Sequence, residues 1–429
     1  MVLQDLVRSN ALTSIATRVA IGVFPILFVL MLRWTWGKQT FDLAAAAINW
    51  SMYLNVLLLS GFAMVPPAVA RLRRGGDTDS SIAQEDLHAV ADHIALSRWL
   101  LLVGVFAALV LNSTIDGTFG ELSRRHGQEL NWWFLMFAAF ALAQIPMTLW
   151  LGVVQGLGQY GRALVLAALP RAAALLILPL GFAAGFTSGP VIAIALLVVL
   201  SGQAFIGSGA RQVLKRMDRR ILDAPSNVAR VLPANLSAGL VVLVGAGVTI
   251  IPVTLVGRWL PEQVGTAHVI VGLANAMAGV VVAALFPASL MLREHLGRPG
   301  GIRAYCCRIG SQAGLLTLAA AGSMAGAGLV CTQVWAGCHP VTVATASMVL
   351  AGAGLRLGAL GTQHVALYRS RPQLNLVSAI AEAALALVLL VALLPDLGLV
   401  ALGFALLAGG MARLAVSLSI ERRWLEEAA

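Results

Sequence analysis

The chain has 429 residues, of which 59% are hydrophobic and only 11% charged, and its mean hydropathy is +0.86. That composition excludes a soluble globular domain, which carries far more charge and breaks its apolar runs every few residues. The net charge of +10 would point to nucleic acid in a soluble chain. In this one it reads as basic loops that fix orientation in a membrane, and no nucleic-acid partner is expected.

Apolar runs of about 20 residues, enough helix to cross roughly 30 Å of hydrocarbon, fall near 11–32, 43–70, 94–115, 131–154, 162–184, 189–210, 233–256, 265–292, 308–332, 341–367, 373–394 and 397–418. They predict twelve transmembrane helices, an all-α membrane protein. The short alternating strands of a membrane barrel are not seen. The first run carries Arg18 and has no small-residue cleavage site behind it, so it is expected to remain as a span. Small-residue spacings such as Gly322…Gly326 and Gly354…Gly358 suit close helix contacts.

With the N-terminus inside, the inner segments carry nineteen Lys and Arg residues. The outer ones carry five, Arg33, Lys38, Arg124, Arg125 and Arg258. The positive-inside rule then places both termini in the cytoplasm. The longest basic connection, 211–230, divides the chain almost in half. The first span of each half ends in the same pair, Arg33-Trp34 and Arg258-Trp259. Each pair is followed by a polar turn and a long span with a central Asn (Asn49, Asn275) and a later Pro (Pro66, Pro287). The expected organisation is a six-helix lobe over 1–210, a basic cytoplasmic linker over 211–232 and a second six-helix lobe over 233–429. Both lobes start inside, as parallel repeats with a substrate site between them.

Deep charges are the candidate functional residues. Arg171 sits about nine residues into the fifth span, near mid-membrane at 1.5 Å per residue, where an arginine costs roughly 2.5–3.5 kcal/mol. Glu382 lies at equal depth in the eleventh span, the repeat counterpart of the fifth. The two are candidate partners, either as a helix-locking ion pair or as a gate or proton-coupling site centred on Glu382. Arg356 in the tenth span and Arg18 in the first are further cavity candidates, with Asn49 and Asn275. Arg98 and Arg413 lie near inner ends and read as snorkelling side chains. Gln144, Gln203, Asn55 and Asn235 read as interhelical hydrogen-bonding groups. Apart from Glu382 the deep charges are cationic, which favours an anion. The planar fork of arginine suits phosphate. Cys331 and Cys338 bracket an outer loop and are either free or joined in a disulfide, given an oxidising compartment. No P-loop, GxGxxG or metal-ligand cluster stands out, so no cofactor, metal or catalytic residue is expected.

Three segments carry a family resemblance. "WGKQTFDLAAAAINWSMYLNVLLLSGFAMVPPAVARLRR" resembles the first-to-second-helix region of polysaccharide flippases. "VVQGLGQYGRALVLAALPRAA" is similar to their fourth-to-fifth-helix turn, and the chain from Arg369 to Leu414 to their tenth-to-twelfth region. The likeness is to the multidrug/oligosaccharidyl-lipid/polysaccharide (MOP) exporter superfamily, whose MATE-like lobes form a V that opens alternately to each side. It implies no enzyme but a flippase of polyprenyl-pyrophosphate-linked oligosaccharide for cell-surface polysaccharide assembly in a plasma (bacterial inner) membrane. Its expected partners are the lipid-linked anion, membrane lipids and polysaccharide-assembly proteins. A twelve-helix secondary transporter of a small anionic solute or drug and a non-transporting scaffold of the same fold are the alternatives. The facilitator-type Gly-x-x-x-Asp-Arg loop is missing after the second span, which reads "ARLRRGGDTDSS". The outer segments are too short for a membrane polymerase or ligase.

Overall fold

A computed structural model of the chain describes residues 2–58, 65, 69, 80–217, 226–290, 301–334, 339–368 and 373–426. The side chains of Arg18, Asn55, Asn235 and Cys331 lie outside the described set, as does the whole of Cys338. Unbroken apolar sequence leaves the backbone only its own chain to bond to in lipid, and the described residues are helical almost throughout. They are α1 (Val2–Trp36), α2 (Lys38–Leu58), α3 (Ser80–Phe119), α4 (Glu121–Gly156), α5 (Tyr160–Ala183), α6 (Ser188–Met217), α7 (Val228–Thr249), α8 (Ile251–Trp259), α9 (Val264–Leu290), α10 (Gly301–Val334), α11 (Pro340–Gly358), α12 (Leu360–Tyr368), α13 (Gln373–Leu397) and α14 (Val400–Glu426). Two predicted spans are each built from two helices. The seventh breaks at Ile250, ahead of Pro252, whose ring lacks the N–H that would continue the ladder. The tenth breaks at Ala359. The twelve-helix all-α plan therefore stands, and nine of the described helical stretches are long and apolar enough to cross a membrane.

The chain divides into two compact units, Met1–Val242 and Leu243–Ala429. In unit 1, α1 packs on α2 and α5, α4 on α2, α3, α5 and α6, and α5 on α6. Every one of these pairings recurs in unit 2 when spans are matched in order: α8 on α9 and α13, the α11–α12 span on α9, α10, α13 and α14, and α13 on α14. Local details repeat as well. Asn49 is the twelfth residue of α2 and Asn275 the twelfth of α9. The turns that follow α5 and α13 hold glycines with left-handed backbone, Gly185 (φ 80°) and Gly398 (φ 56°), a conformation that a Cβ resists. The repeat glimpsed in two Arg-Trp pairs is thus a repeat of packing.

Helix α5 explains how a charge can be carried inside. Its buried stripe is Ala163, Ala167, Arg171, Ala174 and Leu178, one residue per turn. Its exposed stripe is Val165, Leu169, Leu176 and Leu180. Large apolar groups face outward, as a lipid solvent requires, and small residues face the neighbouring helices, where they allow close approach. Arg171 is on the inward stripe. Helix α13 has the same pattern, with Ser378, Ala379, Glu382 and Ala386 buried and Val377, Ile380 and Val388 exposed. Glycine sets the spacing between α10 and α11. A Cβ at Gly310 would strike the carbonyl of Gly358, and Gly314 lies against Gly354, whereas Gly322 and Gly326 face open space. The Gly354…Gly358 contact is real; its partner is Gly310…Gly314.

Candidate functional site

Unit 2 assembles a buried ion cluster. Glu382 is 2% exposed, and each of its oxygens faces a different arginine. Arg413 donates from Nη1 to Oε2 at 2.5 Å, and Arg356 lies with Nη1 3.9 Å from Oε1. Arg356 also donates from Nη2 to Asn275 Oδ1 at 3.5 Å. With the Gln363 amide turned to its better-bonded orientation, its oxygen accepts from Arg413 Nη2 at 3.1 Å and Nε at 3.3 Å. Close helix packing makes this possible. Gly352 of α11 and Gly410 of α14 bring the two backbones together so tightly that a Cβ on either would collide with the other helix. Gly409 does the same against the Glu382 turn of α13. Arg356 and Arg413 follow Gly352 and Gly409 by four residues, so each lies one turn on, on the same face. Two guanidinium groups thus share one carboxylate, and the tighter of them holds it at hydrogen-bond distance. A cavity of about 20 Å³ opens beside Arg356, Glu382 and Asn275, lined also by Val248, Thr249 and Ala353. That is room for about one water.

This geometry corrects one expectation. Arg413 is not a snorkelling residue: it is 8% exposed and is the closest partner of Glu382. Within its own unit Glu382 is compensated by Arg413 and Arg356. Sequence reasoning found Arg356, Asn275 and Glu382, which do come together, and missed Arg413 because its distance from the helix end suggested escape to the interface. The signal that could have found it is the Gly409-Gly410 pair one turn before, which marks a face buried against another backbone.

In unit 1, Arg171 is 4% exposed. Its Nη1 donates to the Ala167 carbonyl at 2.6 Å, its Nη2 reaches Gln144 Oε1 of α4 at 3.4 Å, and the ring of Phe24 from α1 lies 5.8 Å from its guanidinium carbon. Phe24 is part of an aromatic wall with Phe28 and Phe140. Asn49 is buried in α2. Arg98 is exposed, in keeping with a side chain that reaches outward. Arg18 stands in α1, and its side chain, like the Cys331–Cys338 pair, lies outside the described residues.

No protein-family model matches the sequence, and no curated protein matches it. Solved structures do. An inward-facing multidrug resistance MATE family transporter of the MOP superfamily aligns with a TM-score of 0.66 over 97% of this chain and 95% of its own, at 16% identity. The chain has the MATE-type fold. The eukaryotic MATE transporter AtDTX14 aligns with a TM-score of 0.65 at 14% identity, over 97% and 95% of the two chains. A MOP superfamily transporter from Pyrococcus furiosus aligns at 0.59 and 16% identity over the same shares, and is described as having a binding pocket of reverse polarity that suggests a different function. At these identities the MATE-type fold is what is shared.

Proposed function

We propose that the chain is a secondary transporter that moves an anionic, lipid-linked saccharide across a plasma membrane by alternating access, with both termini in the cytoplasm and no nucleotide hydrolysis or other enzymatic step of its own. The observation that carries this reading is the excess of buried guanidinium over carboxylate on a MATE-type scaffold. Two arginines surround Glu382, and Arg356, the one held at 3.9 Å, borders the cavity. A phosphate oxygen arriving there competes with a loose partner for a planar donor fork, while Arg413 retains the carboxylate. The first lobe, over 1–210, and the second, over 233–429, would supply the two halves of the pathway, joined by the basic linker 211–232. Asn275, which accepts from Arg356, aims the guanidinium. Polysaccharide-assembly proteins are the expected partners.

Lipid extracts test this directly. Cells depleted of the protein should accumulate a polyprenyl-pyrophosphate oligosaccharide by mass spectrometry, cleared by wild type and not by Arg356→Ala made and inserted at wild-type level. An unchanged lipid-linked pool with a build-up of a small anionic solute or drug would move the reading to a small-molecule exporter. An absence of any accumulated species would leave the scaffold role.

A further inference from the structure

The matching of helices between the two units sets up a comparison. The spans that carry Arg356, Glu382 and Arg413 in unit 2 are its fourth, fifth and sixth. The fourth, fifth and sixth spans of unit 1 carry Gln144, Arg171 and Gln203. Unit 2 thus provides its own anion, the Glu382 carboxylate, for the cations around it. Unit 1 has the cation on the fifth span and no acid with it: among the described residues Arg171 forms no ion pair.

Amides on the two neighbouring helices are also short of partners. Gln144 turns its oxygen to Arg171 at 3.4 Å, and its buried Nε2 has no hydrogen-bond partner among the described residues. Gln203 is 5% exposed, and among the described residues neither its Nε2 nor its Oε1 has a partner. Helix α6 meets α5 where Gly202 lies against the ring of Pro170, so Gln203 and Arg171 each follow directly after the two residues in contact. Helix α4, which bears Gln144, packs on both α5 and α6. Each orphaned amide is a desolvation cost with no hydrogen bond to offset it, and a buried guanidinium without a counter-charge costs more still. A neutral hydrocarbon interior does not return those costs. A small anion does, because the polar groups that these three packed helices bury are mainly donors: the Arg171 N–H groups and the NH₂ groups of Gln144 and Gln203.

We infer that unit 1 binds a monovalent inorganic anion of chloride size between α4, α5 and α6, held by Arg171 with the amides of Gln144 and Gln203. The near-complete burial of Arg171 behind Phe24 suits an ion of one or a few atoms and not a lipid-linked head group. The anion answers the Arg171 cation in unit 1 as Arg356 and Arg413 answer the Glu382 carboxylate in unit 2. The site goes beyond the transport reading and does not depend on it.

The test uses the full-length protein purified in detergent into gluconate buffer and titrated with sodium chloride or sodium bromide at constant ionic strength. Thermal unfolding is followed by tryptophan fluorescence. The wild type should show a saturable rise in unfolding midpoint with either halide, with half-effect in the millimolar range. Gln203→Leu, which keeps the volume and removes both orphaned atoms, should leave a folded protein whose midpoint is at least as high in gluconate and no longer moves with halide. Gln144→Leu should weaken the response at least tenfold. A wild-type midpoint that is flat from gluconate to chloride overturns the inference. So does a halide response that survives unchanged in Gln203→Leu and Gln144→Leu.

Discussion

Replacing the two arginines around Glu382 one at a time separates the structural cation from the functional one. With an effective dielectric of about 20, unit charges at the 2.5 Å of the Arg413 contact attract by about 7 kcal/mol and at the 3.9 Å of the Arg356 contact by about 4 kcal/mol. Desolvation offsets most of either figure. Removing one partner of a buried pair typically costs about 3–5 kcal/mol, because the charge left behind is uncompensated. Arg413→Met strips the closer partner from a carboxylate that is 2% exposed and should fall in that range. Arg356→Met leaves Glu382 still paired with Arg413, so it should lose about half as much, roughly 1.5–2.5 kcal/mol. Glu382→Gln strands both cations and should be the least stable of the three. Transport is expected in the reverse sense. Arg356→Met should stay folded and fail to clear the lipid-linked intermediate, and Arg356→Lys should recover only part of the activity, since a point charge replaces the planar fork. The assays are chemical unfolding in detergent alongside lipid mass spectrometry. Equal destabilisation by Arg356→Met and Arg413→Met would refute the division of roles, as would full transport by Arg356→Met.

Gly410→Ala should lower stability by about 1–3 kcal/mol through overpacking, because its methyl meets the backbone of Gly352; Gly322→Ala, which faces open space, should change it by less than about 0.5 kcal/mol. The inward stripe of α5 can be checked in the same way. Ala174→Leu, at a fully buried position, should cost about 1–3 kcal/mol, and Leu176→Ala, 64% exposed, should cost little. At the start of α10, before its apolar run, Cys307 is exposed and Cys306 buried; burial, with the Glu421 charge adding to it, pushes the Cys306 thiol up to about 12. In single-cysteine variants at pH 7.5, an impermeant maleimide should label Cys307 in inside-out vesicles and not in intact cells, and should leave Cys306 unlabelled in both. Labelling of Cys307 from outside would reverse the expected topology.

Hydropathy made the twelve spans legible because lipid imposes one rule on every residue of a span, and the rule is visible locally. The two broken spans were not legible as such. Pro252 announces the break at Ile250, whereas the one at Ala359 has only Gly358 and Gly361 beside it, and many glycines elsewhere in this chain lie inside unbroken helices. The repeat was legible only as a faint echo of Arg-Trp and Asn, because packing partners are conserved in position while the side chains that fill them differ.

The charged residues divide on the same principle. Depth along a span can be counted from sequence, and it singles out Arg171, Arg356 and Glu382. Depth does not reveal which way a side chain points, and equal depth alone offers Arg171 and Glu382 as candidate partners. The described partners of each lie within its own unit. Facing, unlike depth, leaves a trace in residue size. The stripe Ala163, Ala167, Arg171, Ala174 is small and inward, and Gly352 and Gly409 precede Arg356 and Arg413 by one turn. Small residues one turn from a charge mark the face where helices close upon each other, so a charge on that face must meet another helix and not the lipid. On that reasoning Arg413 belongs with Glu382, and Arg171, on an equally small-lined face with no acid beside it among the described residues, is the cation for which the inferred anion is the counter-charge.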